Sequence, residues 1–253
     1  MRWARMTATK RELYRTLVEK RKAYNPETLG LANPSSPDLR EFDSDEIGPW
    51  TRWANDLDAD LMVVGQDWGD ERYFLANKGM DKANNPTNRS LRELLEFVGR
   101  PIPPPPSVSE PGGQSAKGVW LTNALLWLKQ GGLSATVKPE WFKELAADFL
   151  REQINIVEPR IVVALGAQAY SAIAFAFGIP TPRGLFRKVV EDTAGVRLPT
   201  PFQCTLFGVY HCGSRITGMT RSGAEQRKDW TKIRDALARK ESVSETAHLR
   251  VDR

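Results

Sequence analysis

Cysteine and histidine are scarce in this chain of 253 residues, with only two of each. The cysteines, Cys204 and Cys212, are too few for a cysteine-ligated iron–sulfur cluster or an all-cysteine zinc site. The two histidines, His211 and His248, are likewise too few to favour a transition-metal site built by the protein. The sequence therefore predicts a protein without a metal site of its own.

Long apolar runs are also missing. No run approaches the roughly 20 residues that a membrane-spanning helix needs. The basic residues Arg2, Arg5, Lys10 and Arg11 stand where a secretory signal would have its apolar core. We expect a protein of the reducing cytoplasm, associated with the nucleoid if the source is a bacterium, and without a membrane partner.

Neither of the two commonest nucleotide-binding motifs is present. No Walker A sequence and no Gly-x-Gly-x-x-Gly follows a predicted strand. The hydrophobic fraction of 41% and the charged fraction of 26% are those of an ordinary soluble protein. Positive charge is in excess, with a net charge of +5 and a pI near 9.2, which favours a polyanionic partner.

Apolar runs alternate with helical patterns along the chain. The runs predict four strands, at residues 61–67, 119–123, 161–166 and 205–210. The helical patterns lie near residues 1–24, 49–56, 88–98, 139–157, 167–177 and 222–239. This alternation predicts an α/β fold, a three-layer α/β/α sandwich around a mostly parallel four-stranded sheet.

Composition divides the chain into three parts. Residues 1–45 form a basic helix and a loop rich in Pro, Ser, Asn and Asp. Two interpretations of this helix stay open, an amphipathic helix packed on the domain or a phosphate-binding arm. Residues 46–240 are the predicted α/β domain, and residues 241–253 are predicted to be a disordered tail.

Polar side chains follow three of the four predicted strands. They are Asp67, Asn123 and His211. Ligands of open α/β sheets bind outside the carboxyl ends of the strands, so we expect these side chains to meet at one edge. Each alone fits a turn or structural residue equally well. Together, a carboxylate, an amide and an imidazole can orient a water, recognise a polar ring edge and stabilise a departing anion.

The same residues resemble the motifs of the uracil-DNA glycosylase superfamily. Gly65–Asp67 is similar to the first motif, which holds the attacking water, and Leu121–Asn123 to the strand whose Asn recognises uracil. Pro159–Gly166 resembles the third strand of the superfamily. His211–Ser214 resembles the second motif, in which a Ser-bearing loop enters the DNA minor groove. The resemblance extends over about residues 60–237.

The resemblance implies a monofunctional DNA glycosylase that removes a flipped-out uracil or related damaged base, without a cofactor and as a monomer. Asp67 would orient a water at C1′, His211 would donate to O2 of the leaving base, and Asn123 would pair with N3–H and O4. The other implied base-binding residues are Gly65, Gln66, Gly69, Tyr73 and Phe74. The implied DNA contacts are Gly213, Ser214, Arg215, Ile216 and Arg221, with Arg215 and Ile216 in the place of the wedge that enters the base stack.

Two departures from the superfamily pattern bear on specificity. Trp68-Gly69-Asp70 stands where the uracil-specific branch has Pro-Tyr-His, whose Tyr blocks the thymine methyl group. Gly69 predicts an open wall, and hence some activity on 5-substituted uracils or thymine mispairs. Cys212-Gly213 replaces the usual Pro-Ser of the second motif. The count of two cysteines excludes the iron–sulfur branches of the superfamily.

Two other functions are compatible with the sequence. One is a DNA-binding or damage-sensing module of the same fold without catalysis, and the other is a hydrolase of a small nucleotide. The joint presence of Asp67, Asn123 and His211 favours catalysis, because binding phosphate needs none of them. The basic segment Ser214–Arg227 favours a polymer over a mononucleotide.

Overall fold

The computed structural model describes residues 8–82, 84–106, 116–133, 135–181, 186–213 and 221–248. The strands are β1 Leu31–Ala32, β2 Leu61–Asp67, β3 Val119–Leu125, β4 Leu128–Lys129, β5 Ile161–Leu165, β6 Val196–Arg197 and β7 Thr205–Val209. The helices are α1 Lys10–Ala23, α2 Pro49–Trp53, α3 Glu71–Ala76, α4 Pro86–Phe97, α5 Pro139–Leu145, α6 Arg151–Val157, α7 Ala167–Ala176, α8 Arg187–Glu191 and α9 Gly223–His248.

The central sheet has five strands in the order β3-β2-β5-β7-β6. The four predicted strands are its parallel members, and β6 is antiparallel to β7 at one edge. The predicted α/β fold is confirmed, but the sheet has one strand more than predicted. The two residues of β6 are too few to show a periodicity in the sequence. A separate two-stranded sheet pairs β1 with β4.

Helices cover both faces of the sheet, which accounts for the continuous apolar runs of its strands. Met62 and Val64 of β2 pack into a core with α1, α5, α6 and α7. Leu61 and Val63 pack on the opposite face, against α2, α4 and α9. The layers are therefore α/β/α, and the strand ends between them are the place where polar groups can converge.

The N-terminal helix contributes to the first of these cores. Thr9 caps α1 by a reciprocal capping box with Glu12. Leu17 and Val18 are buried, and the ring of Tyr14 meets the edge of Trp120 with centroids 5.1 Å apart. The apolar face of α1 thus packs on the domain, while its basic residues lie mostly at the surface.

Other elements differ from the sequence predictions. The segment after Gly69, predicted as loop, contains α3, and Asp70 caps it by accepting from the backbone N–H of Tyr73. The predicted helix over residues 139–157 is interrupted by a π-helical turn at Ala146–Leu150. The last helix continues to His248, past its predicted end near Arg239 and into the predicted tail. None of the described helices has the length and apolarity required to cross a membrane.

Candidate active site

An open cleft of about 580 Å³ lies at the carboxyl end of β2. Asp67 and His211 both line it, although they are far apart in the sequence. Parallel strands deliver their carboxyl ends to one edge of the sheet, and β2 and β7 are separated only by β5. The structure therefore brings the two predicted catalytic residues together.

The carboxylate of Asp67 is held by two donors. Its Oδ1 lies 3.0 Å from Nζ of Lys129, and its Oδ2 accepts from Nε2 of Gln66 at 2.7 Å. The side chains of Asp67 and Lys129 are only 10% and 4% exposed. Each carboxylate oxygen keeps a free lone pair, so Asp67 can still accept a hydrogen bond from a water in the cleft.

Lys129 is a site residue that sequence reasoning missed. It lies on β4, where its backbone pairs with Leu31 of β1. Its backbone also forms an isolated β-bridge with Asp70, just after β2. A signal for it does exist, because Lys129 ends the apolar run Ala124–Leu128 and is buried with it. The partner of that lysine could not be read from the sequence, because the ion pair joins two separate segments.

The protonation of His211 is set by a backbone hydrogen bond. Nδ1 accepts from the backbone N–H of Gly213 at 3.0 Å, so the proton of the neutral ring is on Nε2. Burial lowers the pKa of His211 below the ordinary 6.5, and the nearby Asp67 carboxylate opposes this shift. His211 is therefore a neutral donor at neutral pH.

The substituted pair Cys212-Gly213 has a clear packing role. Cys212 is completely buried beside the second core, and burial raises the pKa of its thiol to about 12. A Cβ on Gly213 would lie 2.9 Å from Nδ1 of His211 and 3.1 Å from Oγ1 of Thr87. Gly213 thus leaves room for the imidazole ring, and any side chain there would displace it.

Asn123 lies opposite Gly65 in the register of β3 and β2, and it is 4% exposed. Its Nδ2 has no hydrogen-bond partner among the described residues. A Cβ on Gly65 would lie 2.6 Å from this Nδ2 and 2.8 Å from the ring of Trp50. The prediction that Asn123 ends its strand is wrong, because β3 continues to Leu125, and Asn123 does not line the cleft, whereas Trp50 does.

Only one of the two aromatic candidates can meet a base. Phe74 is 1% exposed and packs with Leu39 and Leu128, so its predicted role in base binding is wrong. Tyr73 lines the cleft beside Trp68, with ring centroids 5.0 Å apart. Both residues lie on α3, and their side chains point in different directions because they are consecutive in the helix.

The cleft wall contains three further residues that were not predicted, Trp50, Asp81 and Asn88. Asp81 accepts from Nε1 of Trp50 at 3.1 Å and from the hydroxyl of Tyr73 at 3.2 Å. Burial, followed by the Asp81 charge, raises the pKa of Tyr73 to about 12, so its hydroxyl stays protonated. Asn88 is 1% exposed, and its Oδ1 has no partner among the described residues. No local pattern marks these residues, because they come from α2, α4 and the loop before α4.

The wall that the sequence predicts to be open at Gly69 is occupied. A Cβ on Gly69 would lie 3.2 Å from Tyr73 and 3.3 Å from Leu133. Both side chains line the cleft. Gly69 therefore leaves no gap at this position, because neighbouring segments fill it.

Two of the five predicted DNA contacts, Gly213 and Arg221, belong to the described residues. Ser214, Arg215 and Ile216 lie outside the described residues. Arg221 is described, and its guanidinium pairs with both carboxylate oxygens of Asp229, at 2.6 and 2.9 Å. Asp229 offsets the charge of Arg221 in this structure, and DNA binding by Arg221 stays a prediction.

Comparison with known proteins adds one finding. A family model described as "Uracil DNA glycosylase superfamily" matches residues 52–233, a span that contains Asp67, Asn123 and His211. No curated protein matches the chain. Within the described ranges, no group of three or more His, Cys, Asp or Glu side chains could hold a metal ion.

Proposed function

Because the chain belongs to the uracil DNA glycosylase superfamily, we propose that it is a DNA glycosylase that hydrolyses the N-glycosidic bond of a flipped-out uracil or related deaminated base. The observation that supports this most is the presence of Asp67 and a neutral His211 in one cleft. A module that only binds DNA would need neither group.

Asp67 acts on the sugar. Its carboxylate orients a water toward C1′ and offsets the positive charge that develops on the sugar as the bond breaks. The water oxygen bonds to C1′, the electron pair of the glycosidic bond leaves with the base, and the water loses a proton to the carboxylate or solvent. The Asp67 carboxylate is held in one orientation for this step by the hydrogen bonds that it accepts from Lys129 and Gln66.

His211 acts on the base. The Nε2–H group donates to O2 of the base as negative charge accumulates there. A neutral imidazole suits this role, since the hydrogen bond from Gly213 fixes the proton on Nε2 before the substrate arrives. This donor is preorganised and needs no proton transfer in advance.

Two unpaired polar atoms support recognition of the base edge. Within the described part of the chain, Nδ2 of Asn123 is a buried donor without an acceptor, and Oδ1 of Asn88 is a buried acceptor without a donor. Buried polar groups are normally paired, so both atoms are suited to a ligand, although Asn88 lines the cleft in this structure and Asn123 does not. Uracil offers O4 as acceptor and N3–H as donor, whereas cytosine reverses this pattern. We expect uracil to be cut, cytosine to be rejected, and thymine to be disfavoured by Tyr73 and Leu133.

The proposal is tested by incubating the protein with oligonucleotides that each carry one uracil, thymine, cytosine or hypoxanthine. Alkaline cleavage then reveals abasic sites. Asp67→Asn should slow release of uracil by roughly 10²–10⁴ while DNA affinity changes little. Asp58→Asn, an exposed carboxylate whose side chain is 87% accessible, is the matched control.

Two outcomes would contradict the proposal. If the wild-type protein binds these oligonucleotides and leaves every base in place, it is a binding module of the same fold. If Asp67→Asn turns over at nearly the wild-type rate, Asp67 does not orient the water.

A further inference from the structure

The ion pair between Lys129 and Asp67 is unusual in its burial. Both side chains are at least nine-tenths inaccessible, with Nζ and Oδ1 3.0 Å apart. Removing two charges from water costs several kcal/mol per ion, and a well-packed apolar pair is often as stable. Stability alone is therefore a weak reason for this pair, and its place in the cleft suggests a functional one.

The fold holds Lys129 in a fixed position. β4 is anchored by its pairing with β1, in which Leu31 lies opposite Lys129 and Ala32 opposite Leu128. Leu128 is 2% exposed and packs into a small apolar cluster with Phe74. The backbone of Lys129 is thus fixed by a sheet on one side and an apolar anchor on the other.

The charges around Asp67 make Lys129 important. Among the described residues that line the cleft, Lys129 is the one Lys or Arg. The other titratable groups there are His211, held neutral by burial, Tyr73, held protonated, and the carboxylate of Asp81. Without Lys129, the amide of Gln66 would be the remaining described donor to the Asp67 carboxylate, and the described lining of the cleft would hold no cation to offset its negative charge.

We propose that Lys129 is a positioning residue that holds the Asp67 carboxylate in the orientation needed for base release and offsets its negative charge beside His211. This inference rests on the proposed glycosylase function. Since the ammonium offsets part of the negative charge that faces the sugar, the contribution of Lys129 is the fixed orientation of the carboxylate and not added negative charge. Lys129 itself does not contact the reacting atoms in this role.

The test compares Lys129→Met and Lys129→Arg by single-turnover release of uracil over the acidic and neutral pH range. Lys129→Met should lower the rate at neutral pH by roughly 10- to 100-fold and move the acid limb of the pH–rate profile to higher pH. The sign follows because the Asp67 carboxylate, once it has lost its cation, favours protonation of His211 more strongly. Lys129→Arg retains the positive charge and should restore the position of the acid limb.

Lys138→Met is the matched control, because Lys138 is an exposed lysine close to the cleft-lining Val137. It should leave the profile unchanged. An acid limb of Lys129→Met that coincides with that of the wild type would overturn the proposal, whereas a wild-type protein without any activity would overturn the proposed function instead.

A double mutant keeps the proposal testable if Lys129→Met folds poorly. Lys129→Met combined with Asp67→Asn removes both buried charges. If Lys129 acts through Asp67, the double mutant should be no slower than Asp67→Asn alone, and a further tenfold loss would contradict this.

Borohydride trapping tests the other chemistry open to a lysine amine. An imine between Nζ and the C1′ aldehyde of an abasic site would be reduced to a stable protein–DNA adduct. We expect no adduct that depends on Lys129, and finding one would show that Lys129 is a nucleophile rather than a positioning residue.

Discussion

The backbone N–H of Gly213 donates to Nδ1 of His211 over 3.0 Å, and this one bond determines which ring nitrogen can face a substrate. Gly213 can approach so closely only because it has no Cβ, which would lie 2.9 Å from the same nitrogen. Burial disfavours the imidazolium, and protonation of Nδ1 would also break the bond to Gly213. At the scale of single residues, the donor at Nε2 depends on a glycine two positions away.

The pH dependence of base release should report this arrangement. Because the pKa of His211 is lowered from 6.5, the neutral ring persists on acidification through that value. We expect the single-turnover rate to be level through pH 6.5 and to fall only at lower pH. His211→Ala should slow release by roughly 10²–10³ with DNA affinity retained.

His248→Ala, the only other histidine substitution that the chain allows, is the control and should keep the wild-type rate and profile. An acid limb centred above pH 6.5 would contradict the lowered pKa. A His211→Ala variant that loses DNA affinity but keeps its single-turnover rate would assign His211 to binding.

The elements around the site are joined by polar contacts as well as by apolar packing. Helix α9 presents Trp230 and Ile233 to the second core. On the same helix, Nζ of Lys232 donates to the backbone carbonyl oxygens of Val190 at 2.6 Å and Gly208 at 3.0 Å. Lys232 therefore links α9 to the end of α8 and to β7, the strand that precedes His211.

Removal of this link should destabilise the protein. Lys232→Met would leave buried carbonyl oxygens without a donor, at a cost of about 2–4 kcal/mol of unfolding free energy. Urea denaturation of the variant measures this cost. Lys228→Met, an exposed lysine on the same helix, should stay within about 0.5 kcal/mol of the wild type. Equal losses in the two variants would show that Lys232 contributes no more than a surface charge.

At the scale of the whole molecule, the net charge of +5 favours a polyanionic partner, but several of the arginines already form ion pairs within the protein. Arg21 is buried against Asp43, Arg100 pairs with Asp60, and Arg221 pairs with Asp229. Such pairs add little to attraction of a polyanion, because each cation is offset by a carboxylate nearby. We therefore expect DNA phosphates to be bound mainly by other basic residues.

The salt dependence of DNA binding distinguishes an arginine that is paired with a carboxylate from an arginine that contacts phosphate. The logarithm of the binding constant should fall linearly with the logarithm of salt concentration. Arg221→Gln should change the slope by much less than one, because its guanidinium already pairs with Asp229. Arg215→Gln, at the predicted wedge outside the described residues, should reduce the slope by about one. Equal effects of the two variants would contradict the assignment of Arg221, and binding indifferent to salt would favour a small nucleotide as the substrate.

Much of the fold could be predicted because its main strands and helices have recognisable patterns of apolar residues in the local sequence. The four parallel strands are continuous apolar runs, α4 has a helical period with a Pro at its start, and α7 is apolar nearly all round, as a buried helix is. The short elements β4, β6, α3 and α8 could not be predicted, since two to six residues are too few to establish a period. They form because neighbouring segments pair with them or cap them.

The sequence by itself determined the α/β class and the meeting of Asp67 and His211 at one edge of the sheet, because parallel strands must bring their polar carboxyl ends to the same edge. Only the tertiary structure decided which groups surround them. It placed Lys129 against Asp67, Trp50 against Gly65, and Tyr73 rather than Phe74 in the cleft. The physical reason is that these contacts join segments with no fixed spacing between them, so packing and burial, not sequence period, select each partner.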